Sequence, residues 1–128
     1  MIVLDASVLI GYLDAEDRHH AAAATLLARE ISDDFAVSPI TLAEVLVAPA
    51  RAGRLQAVQD ALDALDITTV ALSDDAPLRL ATLQITSRAK LPDCCVLLAA
   101  QDRQARLASF DERLIRAAEA LGLTVVTT

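Results

Sequence analysis

The stretch IVLDASVLI, residues 2–10, decides the fold. Its first three residues are apolar without alternation, which is typical of a strand covered on both faces, as in a parallel α/β sheet. Asp5 and Ser7 follow, so we expect a carboxylate and a hydroxyl at the carboxyl end of this strand. Because ligands of open α/β sheets bind beyond the carboxyl ends of the strands, Asp5 is a candidate functional residue. The alternative is a solvated acid that opens the first loop.

Strands and helices alternate along the rest of the chain. Short apolar segments predict further strands at residues 35–37, 67–72, 107–110 and 123–126, with helices between them. This alternation favours a parallel sheet with right-handed crossovers, in which the carboxyl ends of all strands meet at one edge. No linker or repeat is visible in the sequence. We therefore predict one three-layer α/β domain over residues 1–128, with a five-stranded parallel sheet flanked by helices.

Composition indicates a globular protein with a single core. A chain of 128 residues buries enough surface to fold without disulfides or a structural metal. Hydrophobic residues make up 55% of the chain, but no apolar run approaches the roughly 18 residues of a membrane span. The opening lacks a secretory pattern, so we expect a cytoplasmic protein without a membrane partner. Adjacent Cys94 and Cys95 suit neither a disulfide nor a metal pair and are predicted to be reduced, buried thiols.

The net charge of −7 argues against a protein that holds nucleic acid by a broad cationic surface. Of the 11 cationic residues, 10 are Arg and nine lie from Arg51 onward. Arg favours bidentate contacts with phosphate, so local phosphate binding is compatible with an acidic protein, and solvated helix faces are the alternative. His19 and His20 form an isolated pair without the spacing of a zinc site, and we expect them to be surface residues.

Glu44 is a second candidate functional residue. A helix starts at the Ser-Pro pair of residues 38–39, and Glu44 falls in its second turn, on a largely apolar face that we expect to point inward. A buried carboxylate requires a partner or a metal ion. Arg51, on the same face, is the alternative partner, and Pro49 is expected to end or kink the helix.

Asp93 and Asp111 complete the set of candidate acids. Asp93 lies in the first turn of the most apolar helix of the chain, where a purely capping role is the alternative. Asp111 follows the fourth strand as Asp5 follows the first, and its alternative role is the N-cap of the last helix. In a parallel sheet these acids and Glu44 gather at one edge.

Four carboxylates in a partly dry crevice repel one another and take up protons unless a cation neutralises them. Mg²⁺ prefers oxygen ligands and is held by one or two carboxylates, with water and phosphate completing its shell. Such a site activates water for in-line attack on phosphorus. The acids therefore predict phosphodiester hydrolysis that leaves a 5′-phosphate and a 3′-hydroxyl.

Four segments resemble, in order and spacing, the signature segments of PIN-domain nucleases. They are DASVL at residues 5–9, S-x-x-TLAEV at residues 38–45, PD at residues 92–93 before an Ala-rich helix, and SFD at residues 109–111. The chain is most similar to the VapC-type toxins of type II toxin–antitoxin systems, over nearly its whole length. This resemblance implies a PIN-like nuclease domain over residues 1–128. It also implies Mg²⁺- or Mn²⁺-dependent endoribonuclease activity on RNA, homodimerisation and inhibition by a cognate VapB-like antitoxin.

The resemblance implies a role for each acid. By position, Asp5 and Asp93 look like the direct metal ligands. Glu44 and Asp111 look like the remaining members of the acidic quartet and act directly or through water.

Two serines and one departure also follow from the resemblance. Ser7 and Ser109 look like supporting hydroxyls that orient carboxylates or water. The Cys94-Cys95 pair stands after Asp93, where small residues such as Ala are common. This departure changes packing and leaves the metal site intact.

Two other classes of function are open at this stage. A phosphotransferase would use Asp5 as a nucleophile, although such enzymes usually carry a second acid at the position of Ser7. A non-catalytic binding module would retain the fold without needing all four acids. In any class a partner is expected, because abundant Ala, Leu and Val with 2% aromatic residues predict apolar helix faces beyond what one small core covers.

Overall fold

The computed structural model describes residues 1–127 and shows a parallel sheet between helices. Within that range the strands are β1 (Ile2–Leu4), β2 (Phe35–Val37), β3 (Thr68–Thr69), β4 (Arg106–Ala108) and β5 (Val125–Val126). They form a five-stranded sheet in the order β3-β2-β1-β4-β5, with every pairing parallel. The predicted fold class is confirmed. The predicted domain extends to Thr128, which lies outside the described residues.

Helices connect the strands and cover both faces of the sheet. Over residues 1–127 they are α1 (Ala6–Leu13), α2 (His20–Arg29), α3 (Pro39–Arg51), α4 (Leu55–Ala64), α5 (Ala76–Ser87), α6 (Leu91–Arg103) and α7 (Glu112–Ala120). In this range no helix is long and apolar enough to cross a bilayer. Cys94 and Cys95 of α6 are buried free thiols, as predicted.

Two hydrophobic cores hold the layers together, one on each face of the sheet. Val3 belongs to the core formed with α5, α6 and α7, whereas Ile2 and Leu4 belong to the core formed with α1 to α4. Successive side chains of a strand point to opposite faces. Burial on both faces therefore explains why the central strand β1 is apolar without alternation.

Three strands differ in extent from their predicted segments. The edge strands β3 and β5 pair on one side only and are shorter than the predicted 67–72 and 123–126. β4 ends at Ala108, before the predicted 107–110 segment is complete, because the next residues bond outside the ladder. The backbone N–H of Phe110 donates to Ser7 Oγ at 2.9 Å, which draws the chain towards the end of β1.

Two expectations for α3 need correction. The helix does not end at Pro49 but continues to Arg51, so the proline, which lacks a backbone donor, is accommodated in the last turn, and a kink there stays a prediction. The apolar face that carries Glu44 does not point inward, since Ile40 and Val47 are 39% and 48% exposed. Thr41 is on the face that is buried instead. The outward apolar face is available to a partner.

Candidate active site

Asp5 is held at the carboxyl end of β1 by three hydrogen-bond donors. Its Oδ1 accepts from the Ser7 hydroxyl at 2.7 Å and from the Val8 N–H at 3.2 Å, and its Oδ2 accepts from the Ser109 hydroxyl at 2.6 Å. The residue is 5% exposed, so it is not a solvated loop acid. Burial raises the pKa of Asp5, its three hydrogen bonds lower it, and the nearby Asp93 carboxylate raises it again.

Both serines join the first strand to the loop after the fourth. Ser7 Oγ donates to Asp5 and accepts from the Phe110 N–H at 2.9 Å. Ser109 Oγ donates to Asp5 and accepts from the Asp111 N–H at 2.9 Å. Each hydroxyl thus orients the Asp5 carboxylate and fixes the backbone next to the last acid.

Asp93 and Asp111 approach from the amino ends of α6 and α7. Burial raises the pKa of the half-buried Asp93, the Asp111 carboxylate raises it further, and Lys90 lowers it. Asp111 is the N-cap of α7, because its Oδ1 accepts from the N–H groups of Arg113 at 2.9 Å and Leu114 at 3.4 Å. The capping role weighed from sequence is therefore present and occupies one carboxylate oxygen of Asp111.

Glu44 completes the group from the second turn of α3. Its side chain is exposed, yet desolvation by the adjacent protein surface raises its pKa, and the carboxylates of Asp93 and Asp5 raise it further. In the described part of the chain Glu44 forms no ion pair, so Arg51 is not its partner. The structure brings all four predicted acids to one edge of the sheet, as the parallel topology requires.

The acids form an open arrangement rather than a closed cage. Among residues 1–127, no three His, Cys, Asp or Glu side chains form a ready-made metal-binding group. The chemistry nevertheless fits a hard divalent cation, which needs one or two carboxylates and keeps several waters. Two buried hydroxyls at the same edge, Ser38 Oγ and Thr41 Oγ1, have no hydrogen-bond partner in the described chain. The Cys95 thiol lies near Ser38 but does not form a hydrogen bond of normal geometry with its hydroxyl.

Comparison with known proteins assigns the chain to a family. A model of the PIN domain family matches residues 2–120. The chain belongs to the PIN domain family. A search among curated proteins gave no significant match.

Several solved structures share the fold of this PIN domain. A toxin–antitoxin complex from Klebsiella pneumoniae is 25% identical, with 99% of this chain and 97% of that chain covered and a TM-score of 0.79. The sarcin-ricin loop cleaving toxin VapC20 from Mycobacterium tuberculosis is 16% identical, with 98% of each chain covered and a TM-score of 0.75. VapBC2 from Rickettsia felis, bound to a promoter DNA fragment, is 16% identical, with 98% of each chain covered and a TM-score of 0.73. The predicted resemblance to PIN domains and VapC-type toxins is confirmed at the level of the fold.

A cationic cleft of about 640 Å³ lies against Asp93 and Asp111 of the PIN domain. The cationic residues that line it are Arg88, Lys90, Arg113 and Arg116. Arg116 is 3.9 Å from Glu112, whereas the other three have no salt bridge within residues 1–127. Unpaired cations are thus concentrated beside the acids in a chain of net charge −7, and Arg side chains have the geometry that phosphate oxygens require.

A second cavity, of about 630 Å³, borders the acids from the other side. Its lining residues are Ser7, Arg18, His19, Phe110, Asp111 and Glu112. The rings of His19 and Phe110 stack in its wall with centroids 4.7 Å apart and planes at 18°. The expectation that both His19 and His20 are simple surface residues is too coarse, since both are half-buried. Sequence reasoning missed this pair because its two rings are distant along the chain.

Proposed function

We propose that this PIN domain is a metal-dependent endoribonuclease and the toxin of a toxin–antitoxin pair. The observation that carries the proposal is the group of four acids at one edge of the sheet, each within the electrostatic influence of at least one other and none with a salt bridge in residues 1–127. Burial and neighbouring carboxylates raise the pKa values of Asp5, Glu44 and Asp93. An arrangement that opposes its own ionisation is explained by a cation that binds it. Membership of the PIN family and likeness to toxin structures support a toxin nuclease.

Asp5 and Asp93 are the proposed metal ligands. Ser7 and Ser109 orient the Asp5 carboxylate through short hydrogen bonds, so its oxygens keep a fixed direction before any ligand arrives. Asp5 and Asp93 would hold a Mg²⁺ or Mn²⁺ ion, which would supply Lewis acidity towards a phosphate and activation of water.

Glu44 and Asp111 are the proposed acceptors for the attacking water. They reach the edge from α3 and α7, on either side of the ligand pair. Asp111 has one oxygen bound to the amino end of α7, which leaves the other to accept a hydrogen bond from water. Water attacks phosphorus and the 3′-oxygen leaves with a proton, so the products carry a 5′-phosphate and a 3′-hydroxyl, whereas attack by a ribose 2′-hydroxyl would leave a 2′,3′-cyclic phosphate.

RNA is the proposed substrate, and the cationic cleft is its proposed phosphate site. The cleft shares Asp93 and Asp111 with the acidic edge, so a phosphate bound by its Arg side chains lies beside the candidate ligands. The rest of the acidic surface repels nucleic acid. Binding is therefore confined to the neighbourhood of the acids and should weaken steeply with salt.

An antitoxin is the proposed inhibitory partner. A groove of about 510 Å³ runs from Ile10 and Leu13 past Pro49 to Val58 and is also lined by Glu44. We propose that an apolar antitoxin segment occupies this groove and directs a basic side chain at Glu44. Its co-expression should block cleavage and yield a stable complex.

A homodimer is the second proposed assembly. Leu78 and Ile85 of α5 are 73% and 81% exposed, more than an isolated small domain requires. Light scattering on the purified chain tests this directly, and a monodisperse monomer contradicts it.

The nuclease proposal is tested by incubating total RNA with the purified protein in two parallel reactions, one with Mg²⁺ or Mn²⁺ and one with a chelator. Cleavage should require the metal ion and leave 5′-phosphate and 3′-hydroxyl ends. Ends carrying a 2′,3′-cyclic phosphate would contradict attack by water. RNA binding without cleavage under any divalent ion would favour the non-catalytic module.

A further inference from the structure

The stacked His19–Phe110 pair is held rigidly from behind. Phe110 packs against the core between the sheet and helices α1 to α4. The backbone N–H of His19 donates to Asp17 Oδ1 at 2.8 Å. Gly11 allows close approach, since a Cβ there would lie 3.3 Å from both the Cβ and the carbonyl oxygen of His19. The pair therefore presents a fixed, partly exposed aromatic surface to the cavity.

Arg18 adds a cation to the same cavity. Its Nε donates to His19 Nε2 at 3.2 Å, which aligns the guanidinium with the ring and leaves the Nη atoms out of that contact. Glu112 lines the same cavity, yet within residues 1–127 Arg18 forms no salt bridge. An exposed, unpaired guanidinium beside an aromatic surface suits a phosphate joined to a stacked base.

The backbone of Phe110 is linked to the candidate ligand Asp5 through the Ser7 hydroxyl. The Phe110 N–H donates to Ser7 Oγ, and Ser7 Oγ donates to Asp5 Oδ1. Asp111 follows Phe110 in the chain and caps α7. A base stacked on His19 and Phe110 is therefore positioned through two short hydrogen bonds relative to the acids.

We infer that this cavity binds one unpaired nucleobase of RNA next to the scissile phosphate, with the His19 ring, itself stacked on Phe110, as its stacking partner and Arg18 on the flanking phosphate. This inference rests on the proposed nuclease function and adds a base-binding subsite beside its acids. Unstacked bases of loops and single strands stack on Phe, His and Arg planes, whereas bases within a duplex are already stacked. His19 contacts the base through its ring and positions it relative to the acids.

The test begins with a cleavage site mapped in a short single-stranded RNA by the wild-type protein and Mg²⁺. His19→Ala should raise KM about tenfold with little change in kcat, because one stacked base is lost. His19→Phe keeps an aromatic ring and should stay within roughly twofold of wild type. His20→Ala is the matched control, since His20 does not line the cavity and its Nδ1 contacts the Gly11 carbonyl oxygen at 2.8 Å.

Abasic RNAs then separate stacking from a general loss of fold. Removing the single base that stacks should raise the wild-type KM by about tenfold and leave the KM of His19→Ala unchanged. If each abasic substitution has the same effect on both proteins, or if His20→Ala equals His19→Ala, the inference is overturned and the nuclease assignment stands. If the wild type cleaves no RNA with any divalent ion, the nuclease assignment fails, and the inference fails with it.

Discussion

The two edges of the sheet treat their carboxylates in opposite ways. At the amino edge, Arg106 at the start of β4 bonds Asp33 at 2.9 Å and Glu30 at 3.1 Å, and the Met1 ammonium bonds Asp33 at 2.7 Å. The Met1 and Arg106 cations, together with the Asp34 N–H, hold the pKa of Asp33 well below its usual range. Every acid of this cluster has a cation within the chain.

At the carboxyl edge no cation of the described chain forms a salt bridge with any of the four acids. Burial and mutual repulsion raise the pKa values of Asp5, Glu44 and Asp93. The acids of the amino edge are therefore paired within the chain, whereas those of the carboxyl edge form no ion pair, although the cations of the cleft lie beside them. Unpaired acids cost stability, and their presence at the edge where parallel sheets bind ligands favours a functional explanation.

Substitution of an acid at the carboxyl edge should have the largest effect on activity. Asp93→Asn removes a candidate ligand without changing volume and should lower RNA cleavage by at least about a hundredfold, because even outer partners of metal ligands are worth ten- to a hundredfold. Asp102→Asn, on the same helix and paired with Arg79, is the matched control and should cleave normally. Equal activities in a gel assay, with both proteins folded by circular dichroism, would remove Asp93 from the site.

Binding of Mg²⁺ should stabilise the folded protein through the acids of the carboxyl edge and not through those of the amino edge. At a hundred times its Kd, Mg²⁺ adds about 2.7 kcal/mol to the free energy of unfolding of the wild type. The rise in Tm should disappear in Asp93→Asn and persist in Glu30→Gln at the amino edge. Calorimetry with and without chelator measures this, and an equal rise in both variants would show that the ion binds elsewhere.

The pH dependence of stability should differ in sign between the edges. For Asp5, Glu44 and Asp93 the folded-state pKa is raised, so the metal-free protein gains stability as the pH falls from neutral through those pKa values. For Asp33 the folded-state pKa is lowered, so its contribution is present above about pH 4 and is lost on further acidification. Tm in chelator should therefore rise and then fall, and a steady fall from neutral pH would contradict the first step.

The smallest expected effect comes from replacing one glutamate by glutamine at each edge and comparing the stability of the two variants. In metal-free protein at neutral pH, Glu44→Gln should raise Tm slightly, because it removes a charge that faces Asp93 and Asp5. Glu30→Gln should lower the free energy of unfolding by less than about 1 kcal/mol, because the Arg106 pair is partly exposed. Chemical denaturation of both variants measures the signs, and a shared sign would mean that the edges do not differ.

Sequence patterns predicted the elements that have strong local signals. The uninterrupted apolar run of β1 and the apolar run 94–100 within α6 gave the positions of these elements correctly, because burial on all sides leaves no polar residue in either run. The segment at 67–72 was less well predicted, since pairing at an edge depends on a neighbour that no local pattern contains. The predicted inward orientation of the α3 face that carries Glu44 was also wrong, because apolar periodicity identifies a face without showing whether the domain or a partner covers it.

The sequence by itself determined the alternation of strands and helices, the parallel sheet and the four acids that follow from it, because these depend on local periodicity and on the handedness of crossovers. Only the tertiary structure decided which acids are neutralised within the chain and which are not. It also decided that His19 stacks on Phe110 beside Asp111. The physical reason is that charge pairing and ring stacking act over a few ångströms, and residues distant in sequence reach that separation only when the chain is folded.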